Sequence, residues 1–239
     1  CEPNEQVSNT CLKAHFLLKE VIYMGKNKVN EMVRRNYEFE VRAERNEEAN
    51  EYIIVGRPIV YNSRTDLGYF DEIIERGALD EADLTDVRFL VNHDTSKIPL
   101  ARSRRNNENW TMQLFVDANG MTIRVKLDVE NNSEARNLYS AIQRGDITGM
   151  SFMFGIREQD WSEMDTDHPT RHITKISTVI EVSAVTFPAY EDTEISARDK
   201  SALDSARRAL DSVQRRAVDT AINYKAKAIM RMLGTKERG

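Results

Sequence analysis

The chain has 239 residues, with 34 Lys and Arg against 39 Asp and Glu and a formal net charge of −5. That length leaves room for one sizeable core with appendages, and the acidic balance argues against a general nucleic-acid binder, whose electrostatic footprint is basic. Cys1 and Cys11 lack both the spacing of a metal site and the number of a disulfide framework, and no apolar run approaches the roughly 20 residues of a membrane-spanning helix.

Residues 1 to 36 show no usable period. Phe16-Leu17-Leu18 runs straight into Lys19 and Glu20, so no secretory signal is read and the protein is expected to be intracellular where it is made. The chain begins on Cys, which is read either as a fragment boundary or as an upstream extension of the reading frame with Met24 or Met32 as the expected start. A charged turn at Asn46 to Glu51 precedes Tyr52-Ile53-Ile54-Val55-Gly56, which reads as a buried strand resumed after a break by Ile59-Val60-Tyr61. Phe70 to Leu79 is a short segment stopped by Gly77, with a helical turn and loop expected through Leu84.

Val87-Arg88-Phe89-Leu90-Val91 is rich in strand formers and leads directly into His93. Trp110 to Val116 and Met121 to Leu127 alternate with period two around the turn residues Asp117-Ala118-Asn119-Gly120, which predicts an antiparallel hairpin. Ser133 is placed to cap a helix from Glu134 to Arg144, with Ala135, Leu138 and Ile142 on one face and Gly145 as its stop.

Ser151 to Ile156 reads as a strand, a polar loop spans 158–170, and His172 to Ile176 and Ser177 to Val182 read as two more strands, with Pro188 ending the sheet. From Ser201 the pattern changes. Leu203, Ala206, Leu210, Val213, Ala217 and Thr220 recur every three or four residues, a helix whose stripe could pack on the core, pair with a partner or lie loose. The predicted fold is α+β, a mainly antiparallel β-barrel core with surrounding helices. It divides into an N-terminal extension (1–40), a main domain (41–198) and a charged C-terminal helical segment (199–239).

Three segments carry candidate chemistry. A serine hydroxyl becomes a nucleophile when a base takes its proton and a third group holds that base in the right tautomer. His93, just beyond an apolar strand in Asn92-His93-Asp94, is the candidate base. Ser151, beside Gly149 and at the head of an apolar strand, is the candidate nucleophile, with Ser183 as its rival. Glu181 is a carboxylate in a Val/Ile-rich run, which needs a partner if buried. Each has an ordinary alternative: a loop histidine, a strand serine, and an outward-facing strand carboxylate. His168 and His172 have a spacing compatible with a metal, but Pro169 argues against a shared helix face and no metal is expected. No phosphate-cradling loop or dinucleotide fingerprint is present, and no cofactor is expected.

In chain order, Gly56 to Tyr61, Phe70-Asp71-Glu72-Ile73-Ile74-Glu75-Arg76-Gly77-Ala78-Leu79, Leu90-Val91-Asn92-His93-Asp94, Ile98 to Arg102, Asn119-Gly120-Met121, Gly145 to Phe152 and Glu181 to Ala189 form a set. It resembles the prohead maturation proteases of tailed bacteriophages, serine peptidases whose fold is related to that of herpesvirus assemblins. Leu79 and Ala101 stand where that family usually has Phe and Gly. The resemblance implies His93 as general base, Ser151 as nucleophile and Glu181 as orienting acid. It further implies an assemblin-like fold, a homodimer that processes itself, and cleavage of scaffold protein or the scaffold-like segment of the major capsid protein inside the assembling procapsid in the host cytoplasm. No membrane and no direct nucleic-acid partner are implied. A non-enzymatic capsid scaffold that keeps the fold as an interaction module, and a small-molecule esterase with the same triad, are the alternatives.

Overall fold

Period-two alternation dominates the middle of the chain, and in the computed structural model it produces strands. The structure describes residues 27–37, 41–104, 110–186 and 193–234. They form β1 (Asn27–Tyr37), β2 (Val41–Asn46), β3 (Glu51–Val60), β4 (Arg64–Asp66), β5 (Asp71–Ile74), β6 (Asp86–Val91), β7 (Ala101–Arg104), β8 (Met112–Asp117) and β9 (Gly120–Leu127). Helix α1 (Ser133–Arg144) follows, then β10 (Gly149–Ser162), β11 (Thr170–Val185) and helix α2 (Thr193–Gly234).

The strands make two sheets. One is seven-stranded, ordered β1-β10-β11-β5-β4 with β6 and β7 branching from β11, and the other runs β2-β3-β9-β8. β10 pairs antiparallel with both β1 and β11, whereas β5 and β6 pair with β11 in parallel, at its opposite ends. That fork explains a departure from the predicted architecture. Among the described residues neither sheet closes into a barrel, because two strands share one edge of β11 where a barrel needs a single continuous ladder. The molecule is mostly β with two helices.

Ile54, Ile59, Phe89, Met121, Ile123, Phe152, Phe154, Ile176 and Val182 are fully or almost fully buried in one core that joins the sheets. Each such side chain contributes about 1.5–3 kcal/mol on leaving water. Helix α1 buries Ala135, Leu138, Tyr139 and Ile142 and packs against β2, β3 and β9. Tyr139 meets Tyr52 of β3 edge to face at 5.1 Å. Its cap is Asn132, one residue before the predicted Ser133: the Asn132 side chain accepts from the backbone N–H groups of Glu134 and Ala135 at 2.9 and 3.3 Å. Gly145 ends the helix at φ +79°.

The β8–β9 hairpin forms as predicted, closed by the Asp117–Gly120 pair. Gly120 has φ +137°, and a Cβ there would run into the carbonyl of Ile59, so a side chain is excluded twice over. The break between Gly56 and Ile59 is a register shift inside one strand, β3. Likewise β10 and β11 run unbroken through 14 and 16 residues, joined by a ladder with several bulges, where the pattern predicted shorter pieces. β1, β2, β4 and β7 were not read from the sequence. Pro188, the predicted sheet stop, lies outside the described residues.

The chain divides into two compact units, residues 1–196 and 197–239. The described part of the second is residues 197–234 of α2, a helix that begins at Thr193, eight residues before the predicted Ser201. No helix among the described residues is long and apolar enough to cross a membrane.

Candidate active site

β6 ends in a tight turn that presents His93. Asn92 and His93 have φ +51° and +57°, and the N–H of Asp94 donates to the carbonyl of Val91 at 3.1 Å. Consecutive left-handed residues without a glycine cost roughly 1–2 kcal/mol each, and Asn92 is fastened in that conformation. Its N–H donates to the carbonyl of Ala184, and its side-chain oxygen accepts from the N–H of Thr186 at 2.9 Å. The end of β11 therefore clamps the turn that carries the imidazole.

Glu181 faces that turn. Its carboxylate hydrogen-bonds His93 through Nδ1 and Oε1, with both side chains largely buried. The outward orientation suggested by alternation with Val182 is correct as to face, but that face is covered: Glu181 is 1% exposed. Ser183, two residues along on the same face, donates to Glu181 Oε2 at 2.6 Å and accepts from the backbone N–H of His93 at 3.2 Å. A hydroxyl has a single hydrogen, and that of Ser183 is committed to the acid.

Ser151 is the direct register partner of Ser183 across the β10–β11 ladder. Paired residues put their side chains on one face with Cβ atoms about 4.5–5.5 Å apart, so Ser151 sits across the ladder from Ser183, the residue that links Glu181 to the His93 turn. Ser151 has zero exposure, and its hydroxyl donates to the carbonyl of Arg35 on β1 at 2.9 Å. In this structure the Ser151 hydroxyl proton is therefore directed to β1. Beside the His93 turn lies a cavity of about 130 Å³, walled by Leu90, Ile98 and Leu100 and edged by the Lys97–Glu134 ion pair at 2.8 Å.

His168 and His172 have separate partners. His168 lies 3.2 Å from Asp71 and 3.5 Å from Asp66, a trio close enough to hold a cation, although the Arg64 guanidinium already contacts Asp71 at 3.3 Å. His172 instead bonds Ser162 Oγ through Nε2 at 2.8 Å and Glu75 Oε1 through Nδ1 at 2.7 Å. This second Ser-His-Glu chain was missed in the sequence because its members are scattered over β10, β11 and the end of β5. His172 and Glu75 remain 26% and 36% exposed, so water competes for every contact. The backbone at Ser162 is engaged with Thr170 in the ladder.

A charge network lies buried around Glu72, whose place on a short amphipathic segment suggests a solvated carboxylate. Arg35 binds Glu72 through Nε and Nη2 at 2.5 and 2.7 Å, and Arg171 reaches Gln159 at 2.7 Å, Glu31 at 2.6 Å and Glu72 at 3.6 Å. Charged residues in an unperiodic stretch read as surface until a partner strand is known.

The model of the family described as caudovirus prohead serine protease matches residues 37–220. The chain belongs to that family. A relative, the prohead protease of Enterobacteria phage HK97, is 31% identical over 149 residues, which span 61% of this chain and 59% of the relative. Among solved structures, the capsid assembly protease of bacteriophage T4 is similar at a TM-score of 0.38 and 12% identity, over 66% of this chain and 99% of that one. The prohead protease match contains His93, Ser151 and Glu181, and it begins where β1 ends.

Proposed function

We propose that this chain is a prohead maturation serine endopeptidase in which Ser151 attacks a peptide carbonyl, His93 takes the serine proton and passes it to the leaving amine, and Glu181 orients and stabilises the imidazolium. The observation that carries the reading is the largely buried His93–Glu181 hydrogen bond, tied through Ser183 to the ladder position opposite Ser151. Burial matters because hydrogen bonds to developing charge act more strongly where water is excluded. A turn of the Ser151 side chain between staggered positions redirects its hydroxyl away from Arg35. Water then releases the acyl-enzyme. Membership of the family supports scaffold protein, or the scaffold-like segment of the major capsid protein, as substrate, with action inside the assembling procapsid. The same resemblance supports self-processing and a homodimer.

The exposed Ser162–His172–Glu75 chain supports a second location for the nucleophile, and one pair of variants separates the two. Ser151→Ala is expected to lower kcat for capsid-protein cleavage by at least ~10⁴-fold, and Ser162→Ala to leave it within about twofold. The reverse result moves the active site to Ser162. Normal processing by both variants, with defective shell assembly in Ser151→Ala, favours the non-enzymatic scaffold.

A further inference from the structure

A nucleophile with zero exposure, its proton given to a neighbouring strand, cannot meet a substrate until that strand yields. The strand is β1, which lies antiparallel along β10 from Glu31 opposite Ile156 to Tyr37 opposite Met150. Apart from Tyr37 it precedes the stretch that matches the family. We propose that the β10 edge is the berth of the substrate, taken up as an extended strand, that β1 fills the berth as an internal stand-in, and that Glu72 receives a basic side chain there. The proposal rests on Ser151 as nucleophile.

Attack requires a peptide carbonyl within about 3–3.5 Å of the serine oxygen. The Arg35 carbonyl oxygen accepts from Ser151 Oγ at 2.9 Å, so β1 already holds a peptide group beside the serine, and a substrate strand in the same place needs only a small shift to bring its carbonyl carbon to the serine oxygen. An antiparallel strand added to an edge gains backbone hydrogen bonds whatever its sequence, and its alternate side chains supply the selectivity. Here the side chain of the residue whose carbonyl meets Ser151 is Arg35, and it forms a two-bond fork on Glu72, both groups almost fully buried. A guanidinium matches a carboxylate in this planar fashion, while an acidic or apolar side chain would leave Glu72 buried without that partner. If β1 departs, Glu72 and Arg171 retain one another at 3.6 Å and Gln159 still holds Arg171, so the vacated berth keeps a paired network.

The test locks the strand in the full-length chain. With Cys1 and Cys11 replaced by Ser, Arg34→Cys and Met153→Cys face each other across the β1–β10 ladder, at a spacing a disulfide accepts. The reduced protein is expected to cleave a peptide with Arg before the scissile bond in a Ser151-dependent manner. Oxidation should lower turnover at least ~20-fold and a reductant should restore it. Unchanged turnover after oxidation overturns the berth. Peptides with Glu or Leu in place of that Arg should be cleaved at least ~10-fold more slowly, and equal rates overturn the role of Glu72. Hydrogen exchange on the unaltered chain is independent of catalysis: β1 amides should exchange well before those of β11. Equal protection overturns the proposal even if the nucleophile proves to be Ser162, whereas early exchange of β1 without Ser151-dependent cleavage overturns the triad and leaves the displaceable strand standing.

Discussion

Glu181 is held from two sides, by the His93 ring and by the Ser183 hydroxyl, and Ser183 also receives the backbone N–H of His93. One buried serine thus ties Glu181 to the turn that carries His93. A hydrogen bond to a charged group is worth about 1.5–3 kcal/mol, so Ser183→Ala is expected to lower kcat about 10- to 100-fold with KM little changed, and Ser183→Thr, which keeps the hydroxyl, to recover most of it. Steady-state kinetics on the two variants decide it, and an equal loss in both would point to packing instead. At this scale the sequence showed residue types but not partners. His93, Ser151 and Glu181 stood out by neighbourhood, yet Ser183 looked like a competitor for the nucleophile because the direction of a hydroxyl depends on the strand beside it.

The β8–β9 hairpin shows how far an element can be read from its own residues. Its alternation, its turn chemistry and Gly120 were all legible because hairpin contacts are local. Asp117 at its turn accepts from the Asn119 N–H at 2.7 Å and binds Arg57 of β3 through both oxygens at 2.9 Å. The Arg57 side chain, then the Asn119 backbone, hold its carboxyl at about 2, below the ordinary 3.8. A depressed carboxyl pKa stabilises the folded state above the ordinary value, and the contribution is lost as pH falls through the folded one. The melting-temperature difference between the native chain and Asp117→Asn should therefore be small but measurable near neutral pH, shrink from about pH 4 downward and vanish below about pH 2, with solvent exposure keeping it modest. The long strands were less legible. Bulges in the β10–β11 ladder shift the phase of burial, so one strand reads as two. β1 offered no pattern because its buried face carries Glu31 and Arg35, whose partners come from β5 and β11.

At the scale of the whole molecule there are two units, 1–196 and 197–239, and the described part of the second is residues 197–234 of helix α2. Under the proposed function the protein has to be carried into the shell by contacts with scaffold or capsid protein, and a helix of 42 residues offers a long face for them. A chain ending at Arg198 is expected to be packaged into procapsids several-fold less than the full chain while still cleaving peptide in solution. Quantitative mass spectrometry of purified procapsids measures this, and equal packaging would reject the helix as a recruiting element.

The sequence by itself determined the mostly β character, the hairpin, helix α1 and the three residues of the candidate triad, since local periodicity and an ordered set of short motifs depend on near neighbours. Tertiary structure alone decided that the sheet forks at β11, that the face bearing Glu181 is buried, that Arg35 and Glu72 pair across 37 positions, and that the Ser151 hydroxyl points to β1. These all arise from strands far apart in the chain, whose partners and faces are chosen only when the core forms.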